Sequence, residues 1–194
     1  SVGLGLTCGS ALGMIAGYFG RAIDRLLMGA MTIVLCFPAL ILVIAIVSSL
    51  GAGLGNVTIA IGVLFVPAFA RIARANTLVF NEREFVLAAR ALGAGTLRVL
   101  LREILPNLMP VLLSYALVMV GVAILMEAAL GFLGLSVPLP TPSWGGMVAS
   151  ERANLAEAPH AVFLPAAVMF LSVLAINVIG ENARRMFDIK SKAI

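Results

Sequence analysis

Between Leu26 and Ala70 the sequence carries no charged side chain at all. That run is more than twice the ~20 residues that one helix needs to cross a ~30 Å hydrocarbon core, so it must fold back on itself. The glycines of Gly51-Ala-Gly-Leu-Gly-Asn56 supply permissive backbone for the reversal. Two spans follow, near residues 29–50 and 57–78, and Pro38 and Pro67 inside them predict kinks. Composition agrees: 62% of the residues are hydrophobic and 11% charged. Ordinary soluble domains carry roughly 25% charged residues. The mean hydropathy of +1.13 points the same way. An all-α, polytopic membrane protein is expected.

Three further apolar stretches complete a set of five spans: residues 2–19, 107–126 and 161–180. The first ends near Tyr18, an interfacial anchor. The chain opens without Met and almost directly inside this stretch, so a further N-terminal span is expected ahead of it. Residues 131–159 hold Pro138, Pro140, Pro142, Trp144 and Gly145-Gly146, and read as an ordered loop rather than helix. The basic residues occupy three segments. Arg21 and Arg25 lie in the first break, Arg71, Arg74, Arg83, Arg90, Arg98 and Arg102 in and beside residues 81–106, and Arg184, Arg185, Lys190 and Lys192 in the tail; Arg152 alone falls elsewhere. The positive-inside rule makes all three cytoplasmic, with the Gly51 loop and the 131–159 loop outside.

The charged island at residues 81–106, NEREFVLAARALGAGTLRVLLREILP, is therefore the part that meets water-soluble machinery. Phe85, Ala88, Ala89 and Leu92 stand at helical spacing, and Leu97, Leu100, Leu101 and Ile104 repeat it. Gly93 and Gly95 between them permit a sharp turn, giving helix, bend, helix. The same pattern suits a DNA-binding helix-turn-helix, but both flanks here are membrane spans, which excludes nucleic acid as a partner. Arg98 and Arg102, four apart on one helix, repel each other and call for acidic partners or anionic lipid headgroups.

Ala88-Ala89, Gly93 and Leu105-Pro106 resemble the cytoplasmic loop motif of permease subunits of binding-protein-dependent ABC importers. Leu87 stands where that motif has glutamate, with Glu84 one turn earlier, and Glu103 where it has isoleucine. AGYFGRAIDRLLM, FPALILVIAIV, EAALGFLGLSVPLPTPSWGGM and NVIGENARRMFD are similar to stretches of the branch that imports dipeptides, oligopeptides and nickel, and to its C-type subunits. The resemblance implies a single transmembrane permease domain over residues 1–194 with the type I importer fold. It also implies a bacterial inner-membrane location and a heterodimer with a homologous permease. Two ATP-binding subunits on the cytoplasmic side would hold ATP and magnesium, and an extracytoplasmic binding protein would deliver solute. Under it, Glu84, Ala88, Ala89, Leu92, Gly93, Arg98, Arg102, Leu105 and Pro106 form the loop that couples the membrane helices to the ATPase.

The residues themselves agree with such a division of labour. The sequence has no G-x-x-x-x-G-K-[ST] loop to cradle ATP phosphates, no metal-ligand spacing, and one histidine, His160, at the edge of a span. Cys8 and Cys36 lie in apolar stretches and predict no disulfide. No catalytic or cofactor-binding residue is expected. Glu127, at the outer end of the fourth span, is the one candidate for an outer-gate contact. An ion-gradient-driven transporter or channel is the competing class, and would be built on midplane carboxylates and inverted repeats. A membrane scaffold with no transport role is the third.

The arginine distribution yields a direct test in a chain whose two native cysteines are replaced by serine. A cysteine at Ser143 should react with a membrane-impermeant thiol reagent in intact cells, and one at Thr96 only after permeabilisation. The opposite pattern contradicts the orientation.

Overall fold

The computed structural model describes residues 1–138 and 140–191, and the side chains of residues 1–138 and 140–182. At its centre two helices, α1 (Val2–Phe19) and α4 (Leu54–Asn81), lie backbone against backbone. The cause is a stripe of glycines four residues apart, Gly5, Gly9, Gly13 and Gly17, all on one helix face. A Cβ on Gly9 would sit 2.6 Å from the Val66 carbonyl oxygen and 2.7 Å from the Phe69 Cβ. One on Gly13 would sit 2.7 Å from the Ala73 Cβ, and one on Gly17 2.9 Å from the Arg74 carbonyl oxygen. Lipid tails are as apolar as leucine, so a membrane helix pair is held by contact area, and only hydrogen at these positions permits this much.

Helices α2 (Arg21–Cys36) and α3 (Ala39–Leu50) occupy the place of the expected second span and are bent by 89° to each other. A kink within one span was expected at Pro38; the structure gives a full break and starts the helix at Arg21 rather than residue 29. Proline pushes its predecessor out of the helical region, and Phe37 is extended at φ −81°, ψ 137°. Val43 and Val47 of α3 are fully buried in the common core. On α2, Asp24 pairs with Arg74 of α4, whose Nη2 donates to Asp24 Oδ2 at 2.6 Å. Arg71 Nη2 donates to Thr32 Oγ1 at 3.3 Å. Pro67 lies buried inside a continuous α4.

The short α5 (Glu84–Ala91) precedes one long column from Thr96 to Phe132. It consists of α6 (Thr96–Arg98), a π-helical segment (Val99–Ile104) and α7 (Leu105–Phe132). The expected 107–126 span is thus longer at both ends, and the second island helix is its first turns. The wider π turns lie just before Pro106, which has no N–H to bond the Arg102 carbonyl four residues back. Leu108 and Leu112 of α7 join Phe65 and Phe69 of α4 in the core, and the Tyr115 ring meets Phe69 edge-on with centroids 5.2 Å apart.

Beyond α7 the structure departs from the expected loop. Residues 144–151 are helical (α8, Trp144–Glu151), with Gly145 and Gly146 inside the helix. Ser143 caps it by accepting from the Gly146 N–H at 3.1 Å. Here glycine serves contact rather than turning: a Cβ on Gly145 would lie 2.7 Å from the Ala128 Cα. Helix α9 (Pro159–Ser191) leans on α7, where a Cβ on Gly180 would meet the Leu117 Cβ at 3.2 Å. Of the expected tail, Lys192 and the side chains of Arg184, Arg185 and Lys190 lie outside what is described. By length and composition four helices can cross a membrane, and five spans result when the bent α2–α3 pair counts as one. No strand occurs among the described residues.

The glycine stripe predicts a sharp positional contrast. Gly9→Leu would force apart backbone atoms that have nowhere to move, at least the ~1–3 kcal/mol typical of overpacking. Gly3→Leu, where a Cβ meets nothing within 4 Å, should be silent. Size-exclusion profiles and thermal midpoints in mild detergent should show loss of monodisperse protein for the first variant alone. Equal midpoints would contradict the packing described.

Candidate functional site at the arginine-rich end

Asp24 and Arg74 pair across α2 and α4, and Arg90 reaches both Tyr18 and Asn81, so the last turns of α1 and α4, the first turn of α2 and all of α5 share one end of the molecule. Helix α5 is framed by charge: Glu84 stands in its first turn and Arg90 in its last, each favourable to the helix dipole. It ends in a Schellman turn. Gly93 adopts φ +81°, its N–H donates to the Arg90 carbonyl at 2.9 Å, and the Ala94 N–H reaches back to the Ala89 carbonyl at 3.0 Å. Gly93 is therefore fixed by conformation, as the sequence predicts.

The apolar stripe on α5 faces outward. Val86, outside the stripe, is the fully buried anchor, while Phe85, Leu87 and Ala88 are exposed, Leu92 is 89% exposed and Ala89 is half-buried. The second stripe divides. Leu100 and Ile104 are buried beside Val99, whereas Leu97 is 70% exposed and Leu101 about half. Unpartnered leucines beside arginines form a surface that a soluble helix would not leave open. Arg98 and Arg102 are exposed and have no carboxylate partner among the described residues, Glu84 and Pro106 are exposed, and Leu105 is half-buried. The expected loop residues are thus together at one end, with Phe85, Leu87, Leu97 and Leu101 added to them.

Three residues at this end carry contacts that local spacing does not announce. Arg90 Nη2 donates to Asn81 Oδ1 at 2.7 Å, and its guanidinium lies 5.0 Å from the centre of the Tyr18 ring. Asn81 Nδ2 in turn donates to the Gly17 carbonyl at 3.4 Å. Gly17 lies 64 residues from Asn81 and Tyr18 is as remote from Arg90, so no periodicity could bring α1 into this set.

Glu127 lies near the far end of α7. Its Oε1 accepts from Ser136 Oγ at 2.6 Å, and Ser136 is buried just after a second Schellman turn, at Gly134 with φ +75°. His160 opens α9 and is exposed. Cys8 and Cys36 are free. No cluster of groups able to hold a metal occurs among the described residues.

Residues 9–192 match the family of binding-protein-dependent transport system inner membrane components. The chain is 37% identical over 193 residues to the glutathione transport system permease protein GsiD of Pectobacterium atrosepticum, covering all of this chain and 64% of that protein. It is 41% identical over 192 residues to the protein of the same name in Escherichia coli, covering 99% of this chain and 63% of that one. The chain thus spans somewhat less than two thirds of the relatives it matches. An inward-facing structure of the MetNI methionine ABC transporter shares the fold, with a TM-score of 0.70 at 16% identity over 96% of this chain and 88% of that one.

Proposed function

The chain belongs to the family of binding-protein-dependent transport system inner membrane components, and from that membership we propose that it forms half of the membrane pathway of an ATP-driven importer for small peptides. The identity to permeases named for glutathione, a tripeptide, favours a solute of that class. Partners under this reading are a homologous permease, two cytoplasmic ATP-binding subunits and an extracytoplasmic binding protein, in a bacterial inner membrane.

The observation that carries the reading is the outward apolar face of α5, Phe85, Leu87, Ala88 and Leu92, flanked by Arg98 and Arg102, which have no carboxylate partner among the described residues. An exposed apolar face beside two arginines that repel one another favours a partner with an apolar cleft and an acidic rim. Under the proposal that partner is an ATP-binding subunit, and its movement passes to the membrane helices as a shift between inward-open and outward-open states. Gly93 fixes the angle at which α5 meets the column of α6 and α7. At the other end, Glu127 holds the loop after α7 through Ser136, and we assign it to the outer closure of the pathway.

The docking face is tested by Ala88→Asp. Ala88 is exposed and lies within the face, whereas the neighbouring Ala89 is half-buried and its carbonyl accepts the Ala94 N–H that closes the Schellman turn. A charge left unpaired in the interface costs roughly 3–5 kcal/mol. The variant should insert and pair with its partner permease, yet purify without ATP-binding subunits and support no uptake. Full retention of those subunits with normal uptake would remove this face as the docking surface.

A further inference from the structure

We propose that Arg90 is a positioning residue that transmits movement of α5 into the α1–α4 pair through Tyr18 and Asn81, and so sets how much solute each ATP moves; the inference rests on the import function proposed above. Helix α5 is tied to the membrane helices by the short turn at Glu82-Arg83 on one side and by Gly93 to Gly95 on the other. The Gly93 to Gly95 link can absorb a push in its torsions, and the Glu82-Arg83 turn passes one to α4 alone. Of its side chains, Val86 is buried and Phe85 lies with its ring 6.4 Å from that of Phe80 at the end of α4.

Arg90 adds a path that reaches both helices at once. One guanidinium meets the last residue of α4, through the 2.7 Å bond to Asn81, and the last turn of α1, through the Tyr18 ring 5.0 Å away. Asn81 closes the triangle by donating to the carbonyl of Gly17, the last glycine of the stripe. Arginine suits this place because its planar fork can donate in the plane while its face stacks on a ring. Since α1 and α4 touch backbone to backbone at Gly9, Gly13 and Gly17, displacement of Tyr18 and Asn81 moves both helices together. At 3.6 residues per turn, Arg90 projects about opposite to the face bearing Phe85, Ala88 and Leu92. Of the docking residues Leu87 alone lies toward the Arg90 side, about 60° away, so docking through Phe85, Ala88 and Leu92 can be separated from transmission by mutation.

The test uses the full-length protein assembled with its partner permease, ATP-binding subunits and binding protein in proteoliposomes. The probe is a defined mixture of radiolabelled glutathione and di- and oligopeptides. For Arg90→Ala and Tyr18→Leu the ATP-binding subunits should remain bound and ATP should still be hydrolysed. Uptake per ATP should fall about five- to a hundredfold, the range of ordinary coupling energies. The double variant should fall no further than either single one, because both break the same link. Tyr18→Phe, which keeps the aromatic face, should match the wild type. An unchanged uptake-to-ATP ratio in Arg90→Ala would overturn the proposal, and so would loss of the ATP-binding subunits, which would make Arg90 part of the docking face. A fall in Tyr18→Phe as deep as in Tyr18→Leu would overturn the stacking contact. A wild-type complex that takes up none of the probes would overturn the import reading, and the inference with it.

Discussion

Contact between the backbones of α1 and α4 is the constraint on which the other arrangements in this molecule depend. In a bilayer two helices gain little by leaving lipid for each other, so the gain must come from packing closer than lipid can. Gly5, Gly9, Gly13 and Gly17 achieve this against Phe65, Val66, Phe69, Ala70, Ala73 and Thr77. The approach has a local cost: Thr77, whose Cβ and Cγ2 face Gly17, buries its Oγ1 with no hydrogen-bond partner among the described residues. Around the pair, α2 is tied on by Asp24 and Arg74, α3 by the buried Val43 and Val47, and α7 by the Phe69–Tyr115 contact.

The same constraint places the arginine-rich end. Because α1 and α4 are in contact along their length, Tyr18 and Asn81 finish side by side, and α5 is received on a surface made by both. Packing weakens away from this centre. Helix α9 rests on α7 and α8, and Phe163, Leu164, Phe170 and Leu171 remain exposed along it. A lateral face of that kind suits lipid or another membrane subunit. The closely packed half thus carries the arginine-rich end, and the loosely packed half, with α8 and the Glu127–Ser136 contact, carries the far loop.

Much of this was legible in the sequence, for identifiable reasons. Absence of charge from Leu26 to Ala70 dictates a hairpin and Gly93 dictates a turn, because each depends on local chemistry alone, whereas proline breaks the helix at Pro38 and lies inside a continuous one at Pro67. The family resemblance read from Ala88-Ala89, Gly93 and Leu105-Pro106 agrees with the match over residues 9–192. Helix α8 was not legible, since Gly145-Gly146 signals a turn unless one knows that Ala128 presses against it. The four-residue glycine spacing was visible, but its register against α4 is a property of the pair. Likewise the stripe of Phe85, Ala88 and Leu92 says that one side is apolar, and cannot say whether it meets the chain's own core or a partner. Arg90 looked like one more cytoplasmic cation because its partners come from two other helices.

If α1 and α4 act as one rigid unit driven from the arginine-rich end, their separation must survive the transport cycle. The most direct measurement is a pair of spin-label distances in the assembled complex, with and without ATP and vanadate. One pair joins cysteines at Gly3 and Val63, both exposed positions on α1 and α4; the other joins Val63 to its counterpart on the partner permease. The account predicts an unchanged distribution for the first pair and a shifted one for the second. A shift between Gly3 and Val63 as large as that between the permeases would contradict it.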